Sequence, residues 1–304
     1  MQTGAVAALI TTLLFSFSAI GGNQLSRLIG GVEANFLRII LATVLLGCYA
    51  HTLGAGFSGR ALPYFLLSGL IGFGVGDLAL YQAFPRIGSR LAMILVHCLA
   101  APIGAAVEWA WLGTALSIVQ VCCGLIVLAG VAIALAPREH LHIPRRALML
   151  GITFGLIAAL GQAFGSVTSR KAYAVARSVH ENIDGISAAY QRIWGGVLFA
   201  TAGYILHRWR FADRAGEPPF RERLKKGWKW LLVNATVGPA LGVSFFQFAL
   251  SKAPTGIVLP IVALTPLAII PLSYRFENER PTARSLVGGV IAVAGVVGLR
   301  FSLK

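Results

Sequence analysis

The feature that most constrains this chain is a succession of apolar runs about 20 residues long. They are read at about 4–22, 33–54, 62–84, 88–112, 114–136, 147–168, 186–206, 230–250, 254–274 and 285–302. A helix of that length crosses the roughly 30 Å hydrocarbon core of a bilayer. The runs do not alternate polar and apolar residues as barrel strands do. The expected fold class is therefore all-α, a polytopic transmembrane helix bundle of about ten helices. Composition serves as a check: 12% of the residues are charged, about half the ~25% of a soluble domain. The 26 Lys and Arg outnumber the 11 Asp and Glu, for a net charge of +15. Those bases sit in short clusters between the apolar runs. Their charge reports topology and lipid contact, and no nucleic-acid partner is expected.

The first run has no basic segment before Ala5 and no A-x-A site after Ile20, so it reads as a spanning helix and not as a signal peptide. Connections are short apart from 169–185 and the basic stretch 207–229, which leaves the chemistry to the helices themselves. Cys48, Cys98, Cys122 and Cys123 all fall inside apolar runs without C-x-x-C spacing. They read as small apolar core residues, with neither a disulfide framework nor a zinc site.

The chain repeats itself. Gly72, Gly76 and Ala83 recur 166 residues on as Gly238, Gly242 and Ala249, and Gly124, Ala129 and Gly130 recur at an offset of 165 as Gly289, Ala294 and Gly295. N-F-L-Arg38-Ile39 is echoed by A-Y-Q-Arg192-Ile193 at an offset of 154. Two halves follow, 1–140 and 141–304, each with about five helices. An odd number sends the second half into the membrane upside down, giving two inverted five-helix repeats with a cavity expected at their interface.

At this point the chain resembles the drug/metabolite transporter superfamily, in its ten-helix branch with two EamA-type repeats. The resemblance covers nearly the whole length. It is carried by S-K-A-P-T-G at 251–256, A-L-T-P at 263–266, N-E-R-P-T at 278–282 and the small-residue helix V-G-G-V-I-A-V-A-G-V-V-G. Where the family typically has G-E-R, this chain has Asn278-Glu279-Arg280, and the matching junction of the first half, Leu112-Gly113-Thr114, lacks the glutamate. The resemblance implies a carrier exporting a metabolite or drug-like compound.

Ionisable residues inside the spans are few, and each carries an insertion cost of about 2.5 kcal/mol or more. Asp77, in G-F-G-V-G-D-L-A-L-Y-Q at 72–82, reads as a cavity-facing carboxylate that takes up protons or contacts a cation, or as an orienting group between helices. His97 lies as far from the turn near Ile87 as Asp77 does, so the two share a depth of about 15 Å and form a candidate acid–imidazole pair. Glu108 beside Trp109 and Trp111 reads as an interface residue reaching water. Arg38 and Arg192, one turn inside their helices, read as snorkelling anchors or as guards of two opposite cavity mouths. Gln24, Gln82, Gln162, Gln247, Tyr81, Tyr190 and Trp194 could dress a pocket or join helices by hydrogen bonds. Of these, Asp77, His97, Gln82, Tyr81, Arg38, Arg192, Tyr190, Trp194 and Gln247 are the candidate substrate and coupling residues. Pro102, Pro239, Pro260, Pro266 and Pro271 mark helix breaks that can line a cavity.

Other chemistries fare less well. Gly74-Val75-Gly76-Asp77 fits the G-x-G-D of intramembrane aspartyl proteases. That chemistry needs two carboxylates sharing a proton, and Asp184 and Asp213 fall in loops. Glu139-His140-Leu141-His142 lacks the i, i+4 spacing of a helical zinc motif. No phosphate loop follows any glycine pair, so ATP is not the energy source expected on this chain. The sequence thus points to a multi-pass protein of the cell membrane (the inner membrane in a bacterium), a monomer or homodimer. It would move a small solute by alternating access on a gradient, with protons as candidate coupling ion and neither metal nor cofactor. A membrane-embedded enzyme and a non-transporting helical protein are the alternatives. The eight bases in 207–229 place that stretch in the cytoplasm and both termini outside, whereas the resemblance implies cytoplasmic termini.

Overall fold

The computed structural model describes residues 2–135, 143–210, 219–276 and 283–302. Ten helical passes run through these residues. They are α1 (Gln2–Ile29), α2 (Gly31–Thr52), α3 (62–87), α4 (89–112), α5 (Ile118–Leu135), α6 (Arg145–Ser178), α7 (Gly185–Arg210), α8 (Phe220–Lys252), α9 (Thr255–Phe276) and α10 (Ala283–Phe301). α3 and α4 form one helical stretch, Leu62–Leu112, interrupted where Gly88 adopts φ 76° and ψ 167°. Gly30, at φ 98°, makes the equivalent single-residue turn between α1 and α2. Left-handed φ without a Cβ penalty is what lets each reversal fit into one residue. Six stretches are long and apolar enough to cross a membrane on that ground alone, Leu62–Leu112 counting as one, while α5 and α10 contribute shorter apolar segments. Val6, Leu13, Leu125, Leu198 and Val290 face outward, whereas alanines, glycines, hydroxyls and aromatic rings fill the interior, as expected when the surrounding solvent is itself apolar.

Two helices are longer than the apolar runs suggest. α6 continues to Ser178 and α8 begins at Phe220, each about ten residues beyond its run. Both extensions are amphipathic, which a hydropathy reading misses. In α6, Ser169, Ala172, Tyr173 and Ala176 are buried while Arg177 is exposed, and in α8 Gly227 packs against Leu25 and Leu28 of α1. The cysteines are free, but Cys48 and Cys122 lie exposed on the outer surface and not in the core. Glu139–His142, Asp213 and 278–282 lie outside the described residues.

The repeat has a backbone signature. A seven-residue π-helical turn, Leu70–Gly76, sits inside α3, and another, Thr236–Gly242, sits inside α8, separated by the same 166 residues as the glycines within them. Packing follows the repeat as well: α1 lies against α8 and α9 as α6 lies against α3 and α4, α2 meets α7, and α5 pairs with α10. Close approach depends on absent side chains. A Cβ on Gly76 would stand 3.2 Å from the Cα of Gly161, and one on Gly295 would stand 2.8 Å from the backbone N of Val127. Five passes per half put the start of α6 on the face opposite the start of α1, so the two halves are inverted.

α1 also serves the irregular backbone of its neighbours. Thr12 Oγ1 donates to the carbonyl of Ile261 at 3.1 Å and Ser16 Oγ to that of Thr265 at 3.3 Å, on either side of the break at 263–264 in α9. The carbonyl of Ile261 also accepts from the Leu264 N–H at 3.1 Å, so these hydroxyls join α1 to α9 beside the break.

Candidate functional site

The two π-helical turns face each other across a central cavity of about 70 Å³. It is lined from both halves: Phe15, Ser18 and Ala19 of α1, Arg38 of α2, Gly72, Phe73, Gly76, Asp77, Leu80, Tyr81 and Phe84 of α3, Met93, Val96 and His97 of α4, Ala158 and Gln162 of α6, Arg192 of α7, and Gly238, Pro239, Val243 and Phe246 of α8. π-helical turns widen a helix locally and recur at functional sites. In the first turn Gly72 leaves space that the guanidinium of Arg192 occupies.

Arg38 and Arg192 each lie seven residues inside their helices, about 10 Å along the axis, and the inversion brings them in from opposite faces. Neither snorkels; both are buried, at 5% and 3% exposure, and both line this cavity. Their surroundings differ. The guanidinium of Arg38 forms an ion pair with Asp77, donates from Nε and Nη2 to Asn35 Oδ1 at 3.2 and 2.9 Å, and lies 4.5 Å over the ring of Tyr81. Arg192 rests 5.0 Å over the ring of Phe73. Its Nε makes no hydrogen bond, and no ion pair reaches it among the described residues. Its Nη2 nests where Gly72 and Gly165 lack side chains; a Cβ on Gly165 would stand 3.1 Å away.

The acid–imidazole pair does not form. Asp77 and His97 line the same cavity, but the partner of Asp77 is Arg38. His97 stacks on Phe15 with both ring nitrogens unbonded. Equal depth brought the two residues to one level, while the register of α2 against α3 decided the pairing. Tyr81 lines the cavity, and its hydroxyl accepts from Asn234 Nδ2, whose Oδ1 accepts from Ser18 at 2.8 Å. Gln162 lines the cavity with its Nε2 unbonded.

The remaining candidates lie elsewhere. Gln82 accepts from Arg86 at 3.0 Å, and Gln24 donates to the carbonyl of Phe276. Tyr190 bonds His51 at 2.8 Å within an aromatic cluster that includes Phe57 and Trp194. Gln247, the repeat counterpart of Tyr81, is fully buried with no bond to its amide.

Glu108 departs most from the reading of the sequence. It is 1% exposed, and its carboxylate is held from three sides. Arg170 Nε donates to Oε1 at 2.9 Å, and the backbone N–H and hydroxyl of Thr255 donate to Oε2 at 2.6 and 2.5 Å. Arg170 also donates to the carbonyl of Leu250 at 2.7 Å. Trp109 and Trp111 do face outward, at 66% and 48% exposure. On a helix Trp109 points about 100° to one side of Glu108 and Trp111 about 60° to the other, so both rings can face outward while Glu108 points inward. The resulting clamp ties α4, α6, α8 and α9 together on the face that carries the chain termini. Arg170 and Asn35 escaped the sequence reading. For Asn35 a signal existed, since it precedes Arg38 by three residues on one helical face.

Among the described residues no group of three or more His, Cys, Asp or Glu is placed to hold a metal ion. Fold and site together define a polytopic bundle of two inverted repeats enclosing a charged central cavity. The chain belongs to the EamA-like transporter family, whose model matches residues 2–136 and 149–301, one segment for each repeat. No curated protein matches. A solved structure described only as "Crystal structure of protein" shares the fold, with a TM-score of 0.72 at 15% identity, over 98% of this chain and 97% of that one.

Proposed function

We propose that this chain moves a small solute through the central cavity by alternating access, with the halves 1–140 and 141–304 rocking about it, and that a gradient drives export. The observation that carries the reading is the cavity itself, lined by side chains from both repeats and approached by repeat-related arginines from opposite faces. A carrier needs one site that each half can uncover in turn. The Glu108–Arg170–Thr255 clamp fits the closed gate of one such state, because it joins the ends of four helices on a single face.

Asp77 is the coupling residue in this reading. A proton on its carboxylate dissolves the ion pair with Arg38, so that loading a proton changes the charge the cavity carries and frees the Arg38 guanidinium to re-pair. Membership in a transporter family, generally of carriers, supports the reading. The test is a metabolite screen of cells with and without the protein, followed by flux of the hits in proteoliposomes under an imposed pH gradient. Saturable, gradient-driven flux is expected. A cleavage product released by the purified protein, as the G-x-G-D at 74–77 would require, or the absence of flux for every hit, overturns it.

A further inference from the structure

We propose, resting on that carrier reading, that the solute is a small organic anion and that its carboxylate docks on Arg192. The lining of the cavity holds two guanidiniums and one carboxylate. Asp77 and Asn35 satisfy Arg38, whereas the buried Arg192 has an aromatic face and an unbonded Nε. Asp77 acts on Arg192 from a distance but is bonded to Arg38; a buried guanidinium without a bonded counter-ion is costly, and a planar two-oxygen anion matches its fork of donors. The rest of the cavity fits the body of such a molecule. Phe15, Phe73 and Phe246 offer apolar faces, and the free amide of Gln162 can donate to a second oxygen. A cavity of about 70 Å³ has room for a short carboxylate.

A kinetic consequence follows. A bound monoanion neutralises the cavity, whereas the empty cavity carries one unbalanced positive charge through any state closed to both sides. The loaded carrier therefore reorients faster than the empty one, and anion-for-anion exchange outpaces net efflux.

The test uses the purified full chain in nonionic detergent and in phosphatidylcholine nanodiscs. Sodium carboxylates from acetate to benzoate are compared with the amide and the amine of the same skeleton, at matched ionic strength. At saturation the carboxylates should raise the unfolding temperature by about 2–4 °C, and the amides and amines should not. Arg192→Gln should abolish the shift and Arg192→Lys should keep part of it.

The proposal is overturned if no carboxylate-specific shift occurs in the wild-type protein, if amides or amines stabilise equally, or if the shift survives Arg192→Gln. It is also overturned if phosphatidylglycerol alone gives the Arg192-dependent shift and carboxylates add nothing, since a lipid headgroup then neutralises the guanidinium. Proteoliposome flux separates the two levels. Transport of amines or amides but not of carboxylates sinks the anion assignment and leaves the carrier. A carboxylate shift without flux of any member sinks the carrier and leaves the Arg192 site.

Discussion

Arg38 and Arg192 occupy the same place in two copies of one unit, seven residues into α2 and α7, yet one is fully partnered and the other is not. The asymmetry comes from the helices that follow. α3 carries Asp77 one residue after its π-helical turn, and α8 carries Val243 at the corresponding place. Both arginines lie against α3, where the one cavity carboxylate is. The repeat thus supplies the frame and two cations, and the first copy alone carries the acid. In a membrane that difference separates a paired guanidinium from one that no ion pair reaches among the described residues.

The sharpest way to break this comparison is to delete each arginine in turn. Arg38→Ala leaves Asp77 as a lone buried carboxylate and should cost about 3–5 kcal/mol, read as a large fall in unfolding temperature or as loss of folded protein. Arg192→Ala removes a charge with no partner to strand and should leave stability unchanged or raise it. Equal losses at the two sites would mean that Arg192 has a structural role of its own.

Next in size is Glu108→Gln. The amide oxygen can still accept from Thr255, but Arg170 loses its counter-charge, for an expected cost of about 2–3 kcal/mol in thermal unfolding. A cost under about 0.5 kcal/mol would argue against a closed clamp on that face.

Asp77→Asn keeps size and hydrogen bonding while deleting titration. Proteoliposome flux should lose its response to an imposed pH gradient and retain solute exchange, and His97→Gln should behave as wild type, because His97 is not the partner of Asp77. PH-driven flux surviving in Asp77→Asn would end the coupling role. Val243→Asp restores the missing symmetry. It should change stability by about 1 kcal/mol or less, with the new acid offsetting Arg192, and it should cancel stabilisation by carboxylates.

Orientation alters no energy. A cysteine at Lys226, exposed near the start of α8, in a background without the four native cysteines, should resist an external impermeant reagent in intact cells. Labelling there would put the termini in the cytoplasm, as the resemblance implies.

Much of the fold was legible because bilayer length leaves little freedom: ten runs gave ten passes, and the glycine offsets marked the repeat, though not the π-helical turns that both copies carry. The site was legible only where a residue was anomalous in itself. Asp77, Arg38 and Arg192 stood out as charges inside apolar runs, and all three line the cavity. Their partners did not stand out, because an ion pair between α2 and α3 depends on how two helices rotate and slide against each other. Hydropathy averages that information away. Glu108 was misread for the same reason, since its tryptophan neighbours in sequence are not its neighbours in space. Tyr190 and Trp194 were plausible pocket aromatics by composition, but the turn of α7 carries them to a separate cluster with His51 and Phe57.

The single-residue reversals at Gly30 and Gly88 limit how this molecule can move. Two trans Cα–Cα steps span at most about 7.6 Å, so α1 cannot part from α2, nor α3 from α4, on the face where those tethers lie. A Cβ on Gly88 would meet nothing within 4 Å, so it is the left-handed φ of 76°, and not a close neighbour, that calls for glycine there. On the opposite face the connections 53–61, 113–117 and 179–184 are longer. Each first-half hairpin is in effect a lever hinged at its closed end, and its travel is greatest at the far end, where Glu108 and Arg170 hold the helices together.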